Sequence, residues 1–189
     1  MKKISTLFKK DPNDLGRVIN EINPENEWAF ENGIATRKYD GTSCAIIDGE
    51  LYKRFDAKVN PKTGKKKTIP EGAIACQEPD EKSGHHPHWI KCDRNDKSNK
   101  WHFAAFDELQ NKENGTYELC GEKIQGNPEK IDGHELIKHG NYLCFIDYQY
   151  SFESIREYLT KNNIEGIVFH HTEDNRMCKI RKTDFGIKR

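Results

Sequence analysis

Residues 38–56 read KYDGTSCAIIDGELYKRFD, and this stretch determines how the first half of the chain is predicted to fold. Two apolar-rich runs, 42–47 and 50–55, flank the dipeptide Asp48-Gly49, which is typical of a two-residue β-hairpin turn. A third apolar run, 34–37, comes just before Lys38. The stretch therefore predicts an antiparallel hairpin preceded by another strand.

The rest of the chain adds short strands, one marked helix and long loops. Ser151 is a candidate helix N-cap, because apolar residues recur with helical spacing from Phe152 until a Lys-Asn-Asn run. Further strands are predicted at residues 102–106, 117–121, 141–147, 164–170 and 177–181, long loops at 57–70 and 79–100, and a short helix or turn within 11–23. This pattern predicts one α+β domain over residues 1–189, built on antiparallel sheets with few helices.

The composition excludes several classes of protein. Of the 189 residues, 34% are hydrophobic, and no run approaches the roughly 18 apolar residues of a membrane helix. The start of the chain is too short and polar for a signal peptide. Six cysteines occur without a CxxC pair, which argues against a zinc ribbon and leaves disulfides unsupported. We therefore expect no membrane partner and an intracellular, reducing compartment such as the cytoplasm or nucleus.

The net charge of zero hides an uneven distribution. Residues 1–70 carry 14 basic and 10 acidic side chains, and residues 176–189 carry six basic and one acidic. The segment between them is acidic. If the fold brings the two basic ends together, a positive cleft forms on an acidic protein, and such a local field can bind a confined stretch of nucleic acid.

Two lysine-containing motifs lie in these basic ends. Lys38 stands at a predicted strand end beside Asp40-Gly41, where a lysine held rigidly in a cleft can act as a nucleophile. Lys179 and Arg181 share one face of a predicted strand, and two cations on one face suit a phosphate. Taken singly, each motif also fits a solvated basic residue at a turn or a sheet edge.

Three further motifs carry acidic or cationic residues on predicted strands. Arg54 could make a bidentate phosphate contact. Glu118, on the strand 117–121, could bind a ribose hydroxyl if it points into a cleft. Glu165-Gly166 opens a β-branched strand, and glycine allows close approach of a ligand to the backbone. Alone, Arg54 also fits a surface cation, Glu118 an exposed strand position, and Glu165-Gly166 a core strand.

The order of these five motifs resembles the covalent nucleotidyltransferase superfamily of ATP-dependent ligases and RNA capping enzymes. The closest resemblance is to the minimal 5′-to-3′ RNA ligase family that includes a vertebrate RNA ligase 1. It covers most of the chain, from about residue 36 to residue 186. The stretches that carry it are Leu119-Cys120-Gly121, Gln125-Gly126-Asn127-Pro128, His139-Gly140, Ile164-Glu165-Gly166-Ile167-Val168, Lys179-Ile180 and Asp184-Phe185-Gly186.

The resemblance implies an adenylyltransferase (ATP-grasp-like) domain and an ATP-dependent RNA ligase. Such enzymes transfer AMP from ATP to the motif lysine, here Lys38, and then to the 5′-phosphate of RNA, after which the RNA 3′-hydroxyl attacks and AMP leaves. The implied catalytic residues are Lys38, Lys179, Arg181 and Glu165, the last also supporting Mg²⁺ or Mn²⁺. The implied nucleotide-binding residues add Asp40, Arg54, Glu118 and Val168, with Tyr142 or Phe145 stacking on adenine.

Two alternatives stay open at this stage. A capping-type guanylyltransferase uses the same lysine motif with GTP, and a non-catalytic module that binds RNA or nucleotide could keep the fold. Few residues follow Arg181, so no appended oligonucleotide-binding (OB) domain is expected, and the basic N-terminal residues could orient pyrophosphate. We expect a monomer that takes RNA with 5′-phosphate and 3′-hydroxyl ends.

The histidine-rich stretch 84–89 and the basic stretch 62–67 both lie in predicted loops. We expect His85, His86 and His88 to lie in a surface loop near the mouth of the active site rather than in a zinc site, because no cysteine pair accompanies them. Trp89 and Trp101 could either stack on a base or pack in the core.

Overall fold

The computed structural model describes residues 4–58, 63–80, 84–146 and 149–189. These residues contain twelve strands and three α-helices. In chain order they are β1 (Ser5–Thr6), β2 (Phe8–Lys10), β3 (Val18–Ile22), α1 (Trp28–Asn32), β4 (Gly33–Lys38), β5 (Thr42–Ile47), β6 (Glu50–Asp56), β7 (Ile74–Ala75), β8 (Pro87–Lys91), α2 (Lys100–Glu108), β9 (Gly115–Gly121), β10 (His134–Lys138), α3 (Phe152–Lys161), β11 (Gly166–His171) and β12 (Met177–Arg181).

Tertiary contacts divide the chain into two compact units. The central unit, residues 40–139, is built on a six-stranded antiparallel sheet of order β10-β9-β5-β6-β8-β7. Its core includes Cys44, Leu51, Tyr117 and Leu119 from the sheet and Phe106 from α2. Burying these side chains removes apolar surface from water, which stabilises this unit.

The terminal unit consists of residues 4–39 and 140–189. Its four-stranded sheet has the order β1-β12-β11-β4, in which only the β1–β12 pair is parallel, and β2 and β3 form a separate antiparallel pair. Ser151 caps α3 in a reciprocal capping box with Ser154. Ile155 and Leu159 of that helix join Ile167 and Phe169 of β11 in the unit's core.

The structure confirms the α+β class and the elements with the clearest patterns. The β5–β6 hairpin turns at Asp48 and Gly49, whose φ angles of 51° and 78° are those of a type I′ turn. Helix α3 begins after Ser151, and β12 spans Met177–Arg181 as predicted. The strand predicted at 164–170 begins two residues later, at Gly166. The single domain expected over residues 1–189 stays a prediction.

The prediction of a strand at residues 102–106 was wrong, because these residues lie inside helix α2. Asp96 accepts a hydrogen bond from the Ser98 backbone at 2.8 Å and starts a short 3₁₀ turn that leads into the helix. The helix buries Ala105 and Phe106 in the core of the central unit. Aromatic residues favour strands only weakly, and packing in the unit overrides that preference.

Two other segment predictions were also wrong. Residues 141–146 make a single β-bridge, at Leu143, rather than a strand, and the predicted end at Asp147 lies outside the described residues. The loop predicted over 79–100 contains β8. Strand β8 forms because it pairs with β6, a strand distant in sequence. By contrast, the short helix or turn predicted within 11–23 is confirmed as the turns at residues 11–17, after which β3 begins.

Two further findings concern the cysteines and the helices. All six cysteines belong to the described residues and all are free. None of the described helices combines the length and apolar character that crossing a membrane requires.

Candidate active site

Strand register places four of the expected site residues on one face of the four-stranded sheet. Gly166 lies opposite both Lys38 and Arg181, and Val168 lies opposite Lys179. Residues directly opposite each other share a face, and so do alternate residues along one strand. Lys38, Val168, Lys179 and Arg181 therefore line a polar face, while the residues between them pack into the core of the terminal unit.

Lys38 forms an ion pair with Glu165 on this face. The Lys38 side chain is 22% exposed and that of Glu165 is 19% exposed, so neither is fully solvated. Lys38 Nζ also donates to the Tyr39 carbonyl at 3.3 Å. The Glu165 carbonyl accepts from the Lys182 backbone at 2.9 Å, which fixes the acid at the start of β11.

Gly166 allows the strands beside Glu165 to approach closely. A Cβ at this position would lie 2.3 Å from the Ile180 carbonyl oxygen and 2.9 Å from the Arg181 Cα. Both are backbone atoms, so a side chain would push β11 and β12 apart. The glycine of the Glu-Gly motif is therefore required by strand packing.

Lys179 has a pKa lowered to about 8. Burial is the main cause, and the positive charges of Lys38 and Arg181 lower the pKa further, while Glu165 and Asp184 partly oppose the shift. The low pKa means that the charged form of Lys179 is disfavoured, because the side chain is shielded from water and lies among other positive charges. A bound anion would relieve that repulsion.

Asp184 and Lys10 belong to this cluster and were not predicted as site residues. Asp184 is 1% exposed, and it accepts hydrogen bonds from Arg181 Nη2 at 2.9 Å and from Lys10 Nζ at 2.7 Å. Burial by itself would raise the pKa of Asp184, but the hydrogen bonds from Arg181 and Lys10 outweigh burial and lower it. The same contact with Asp184 raises the pKa of Arg181. Only the position of Asp184 in the Asp-Phe-Gly run signalled this role.

The two aromatic candidates for adenine stacking differ in their surroundings. Tyr142 is 57% exposed, and its ring contacts that of Tyr39, with centroids 5.7 Å apart. Phe145 is 80% exposed. Leu143, between them, bridges to Thr36, which also lies opposite Val168. The choice between Tyr142 and Phe145 stays a prediction.

In the central unit, Glu118 is surrounded by hydrogen-bond donors. Its Oε1 accepts from the Gly41 backbone at 3.2 Å, and its Oε2 is 2.9 Å from His139 Nε2. The other ring nitrogen of His139 contacts Thr116 Oγ1 at 2.9 Å, which orients the imidazole. His139 was quoted in the family resemblance but was given no role from the sequence.

Gly41 and Ser43 complete the surroundings of Glu118. A Cβ on Gly41 would lie 2.2 Å from the Leu119 carbonyl oxygen, so the motif glycine is required here too. Ser43 lies directly opposite Glu118 across β5 and β9. Its hydroxyl is buried without a hydrogen-bond partner among the described residues. A buried hydroxyl without a partner beside a carboxylate suits a polar ligand group.

Arg54 and Asp40 also lie in the central unit. Burial lowers the pKa of Arg54, and the negative charges of Asp56 and Glu118 oppose that shift. The Arg54 guanidinium lies 5.4 Å from the centroid of the Trp89 ring. The Asp40 backbone donates to Glu129 Oε1 at 2.8 Å.

The histidine-rich stretch is anchored to the six-stranded sheet. His85 Nδ1 contacts Asp56, and the His86 backbone donates to the same carboxylate at 2.9 Å. From Pro87 onward the stretch is β8, so His88 and Trp89 are strand residues rather than loop residues, and Trp89 is buried. Within the described ranges no group of three or more His, Cys, Asp or Glu side chains could hold a metal ion.

The chain is similar in sequence to proteins named RNA ligase 1. RNA ligase 1 from Rattus norvegicus, from Mus musculus and from Pongo abelii each share 26% identity with it over an alignment of 227 positions, gaps included, which covers 82% of this chain and 68% of theirs. The chain is therefore similar in sequence to RNA ligase 1 over most of its length. No protein-family model matches it.

The expected site residues of the chain fall into one group in each unit. The four-stranded sheet brings together the expected catalytic residues Lys38, Glu165, Lys179 and Arg181. The central unit holds Asp40, Arg54 and Glu118. Of the basic stretch 62–67, Lys62 lies outside the described residues, and the other three lysines are exposed. Of the basic N-terminal residues expected to orient pyrophosphate, Lys2 and Lys3 also lie outside the described residues, whereas Lys9 and Lys10 are described.

Proposed function

We propose that the chain is an ATP-dependent RNA ligase that joins 5′-phosphate and 3′-hydroxyl RNA ends. The observation that carries this proposal is the Lys38–Glu165 pair beside two further cations, Lys179 and Arg181, on one face of the four-stranded sheet. A binding module needs cations for phosphate, but it does not need a lysine paired with a carboxylate at its centre. The similarity to RNA ligase 1 supports the same reading.

In the first proposed step, the Lys38 amine attacks the α-phosphorus of ATP. A nitrogen–phosphorus bond forms as the bond to pyrophosphate breaks, and the amine loses its protons. Glu165 contacts this amine and is placed to accept a proton. Lys179 and Arg181 neutralise the charge that develops on the phosphate oxygens. Phosphoryl transfer depends chiefly on such positioning and charge neutralisation.

The remaining steps transfer AMP to RNA and then release it. A 5′-phosphate oxygen of the RNA attacks the same phosphorus, and the bond to Lys38 breaks. The 3′-hydroxyl of the other RNA end then attacks the activated 5′-phosphate, and AMP leaves. Glu118 is proposed to accept a hydrogen bond from the ribose of ATP, and Arg54 to contact phosphate.

Among the described residues, one carboxylate of the proposed site is placed to support Mg²⁺. It binds proteins through one or two carboxylates, with waters and substrate phosphates completing its shell. Glu165 supplies one carboxylate, and the described residues contain no denser metal-ligand group. Bound there with ATP, Mg²⁺ or Mn²⁺ would supply further charge neutralisation.

The experiment that tests this function is covalent self-labelling. The protein is incubated with ATP or GTP labelled at the α-phosphate, with Mg²⁺, and run on a denaturing gel. We expect a labelled band from ATP alone. The band should vanish in Lys38→Ala and persist in Lys91→Ala, a matched change at an exposed lysine paired with Glu50.

Other outcomes separate the alternatives. A label from GTP but not ATP would indicate a capping-type guanylyltransferase, and no label from either would indicate a binding module. If the ATP label forms, RNA with a 5′-phosphate should be joined faster than matching DNA. Equal rates would argue against a preference for RNA.

A further inference from the structure

Lys10, Asp184 and Arg181 form a cluster that none of the five sequence motifs includes as a whole. Lys10 ends strand β2, and Asp184 lies in the 3₁₀ turn Lys182–Phe185 that follows β12. Asp184 accepts four hydrogen bonds, one from Lys10 Nζ at 2.7 Å and three from the backbone, Nε and Nη2 of Arg181 at 2.9, 3.2 and 2.9 Å. The carboxylate therefore fixes both cations.

Aromatic packing holds the two segments of this cluster in place. The Phe185 ring, next to Asp184, lies 4.9 Å from the Phe152 ring and 6.2 Å from the Phe8 ring, measured between centroids. Phe8 belongs to the same strand as Lys10 and is 2% exposed. Edge-to-face contacts of this kind stabilise a defined geometry. The positions of Lys10 and Asp184 are thus coupled by the core of the terminal unit.

The exposures within the cluster indicate where its positive charge acts. Asp184 is 1% exposed, whereas the Lys10 side chain is 30% exposed and that of Arg181 is 37% exposed. One buried carboxylate therefore lies beneath two cations that still reach solvent, and one positive charge is left uncompensated. Lys179, on the same strand as Arg181, adds a further cation whose pKa is lowered by burial and by its positive neighbours.

We propose that Asp184 positions Lys10 and Arg181 as a pair that binds a phosphate group, and that Lys10 is a phosphate-binding residue of this protein. The inference rests on the proposed function only for the source of the phosphate. The ligand chemistry is a polyanionic phosphate, supplied either by the triphosphate tail of ATP or by the 5′-phosphate of RNA. Lysine binds such groups as a point charge, and arginine binds them through its planar fork.

The first test measures binding of inorganic tripolyphosphate by calorimetry, which requires no ligase activity. Lys10→Met should weaken binding about tenfold, because a hydrogen bond to a charged group is lost. Lys9→Met is the matched control, since Lys9 neighbours Lys10 but pairs with Glu21 on the surface at 2.9 Å. It should change affinity less than about twofold. Lys10→Arg should restore most of the binding.

A second variant separates positioning from charge. Asp184→Asn removes a negative charge from the cluster, so it should tighten phosphate binding if Asp184 acts by charge alone. Weaker binding is expected instead, because Lys10 and Arg181 lose the carboxylate that orients them. Tighter binding in Asp184→Asn would overturn the positioning role. If this variant does not fold, Lys10→Met still decides the inference.

Two kinetic measurements distinguish the sources of the phosphate. If Lys10 contacts the tail of ATP, Lys10→Met should raise the KM for ATP in self-labelling and leave transfer from pre-labelled protein to RNA unchanged. If it contacts the RNA end, only the transfer should slow. If Lys10→Met behaves like Lys9→Met in tripolyphosphate binding, in the KM for ATP and in the transfer to RNA, the inference is overturned. If the wild-type protein takes no label from ATP, the proposed function fails, and tripolyphosphate binding still tests Lys10.

Discussion

Each of the two sheets holds one of the carboxylates expected to bind nucleotide, and the two carboxylates have different partners. Glu165, beside the four-stranded sheet, pairs with the ammonium of Lys38 and has Lys179 and Arg181 nearby. Glu118, in the six-stranded sheet, is held by the Gly41 backbone and by His139. The first arrangement concentrates positive charge and suits phosphate. In the second, the hydrogen-bond donors hold a single carboxylate, which suits a ligand hydroxyl.

The largest expected effect tests the cationic side of this comparison. Lys179→Met should slow self-labelling by about 10²- to 10³-fold, the usual cost of removing one group that stabilises developing negative charge. Lys179→Arg should retain more activity because it keeps the charge. Lys188→Met, at an exposed position of the same unit, should be silent. Full labelling in Lys179→Met would show that phosphate does not bind to this face.

The next effect tests the hydroxyl side. Glu118→Ala should raise the KM for ATP by about 10- to 100-fold, since hydrogen bonds to a charged group contribute about 1.5–3 kcal/mol. The variant should also lose the preference for ATP over its 2′,3′-dideoxy analogue. Glu135→Ala, at an exposed position of the same sheet, is the control. An unchanged preference would remove Glu118 from ribose recognition.

A third prediction compares the packing of the two sheets. Gly41→Ala and Gly166→Ala should each lower the free energy of unfolding by about 2 kcal/mol, because the new Cβ meets backbone oxygens. Alkylation followed by mass spectrometry should show faster reaction of Cys120 in the first variant and of Cys178 in the second. Gly16→Ala, where the new Cβ meets only an exposed aspartate side chain, should have little effect. Alkylation rates equal to those of the wild type would contradict the close approach of a backbone oxygen to each glycine.

A fourth prediction concerns pH. Lys179, with a pKa of about 8, is charged below that pH and neutral above it, so phosphate affinity should fall as pH rises through about 8. Binding of α,β-methylene ATP, which cannot transfer AMP, should weaken between about pH 7 and 9. Lys179→Arg should flatten the profile, because arginine keeps its charge. A flat profile in the wild type would count against Lys179 as a phosphate contact.

The smallest effect is expected at Ser43, whose buried hydroxyl lacks a partner among the described residues. Ser43→Ala should stabilise the nucleotide-free protein by about 1 kcal/mol, since it removes a polar group that is buried without a hydrogen bond. ATP affinity should fall about two- to fivefold if that hydroxyl contacts the ribose. Thermal unfolding with and without ATP measures both changes. If Ser43→Ala is more stable than the wild type with ATP as well as without it, the contact is excluded.

Local patterns were sufficient for several elements of the fold. The Asp48-Gly49 turn, the cap at Ser151 and the alternation of β12 each depend on neighbouring residues, so they were predicted correctly. The strand expected at 102–106 failed because aromatic residues suit both helices and strands, and packing against β10 selects the helix. The strand β8 was missed because its residues, Pro87 and His88 among them, give no strand signal without β6 beside them.

The sequence by itself determined the residue types of the candidate site and their order along the chain, because motif glycines, strand alternation and charge are local properties. The tertiary structure decided which of these side chains contact each other. Lys38 meets Glu165 from 127 residues away, and Lys10 meets Asp184 from 174 residues away. These contacts depend on strand register and on the aromatic core of the terminal unit. No local pattern encodes either, and together they determine which charges are paired and which are left to bind phosphate.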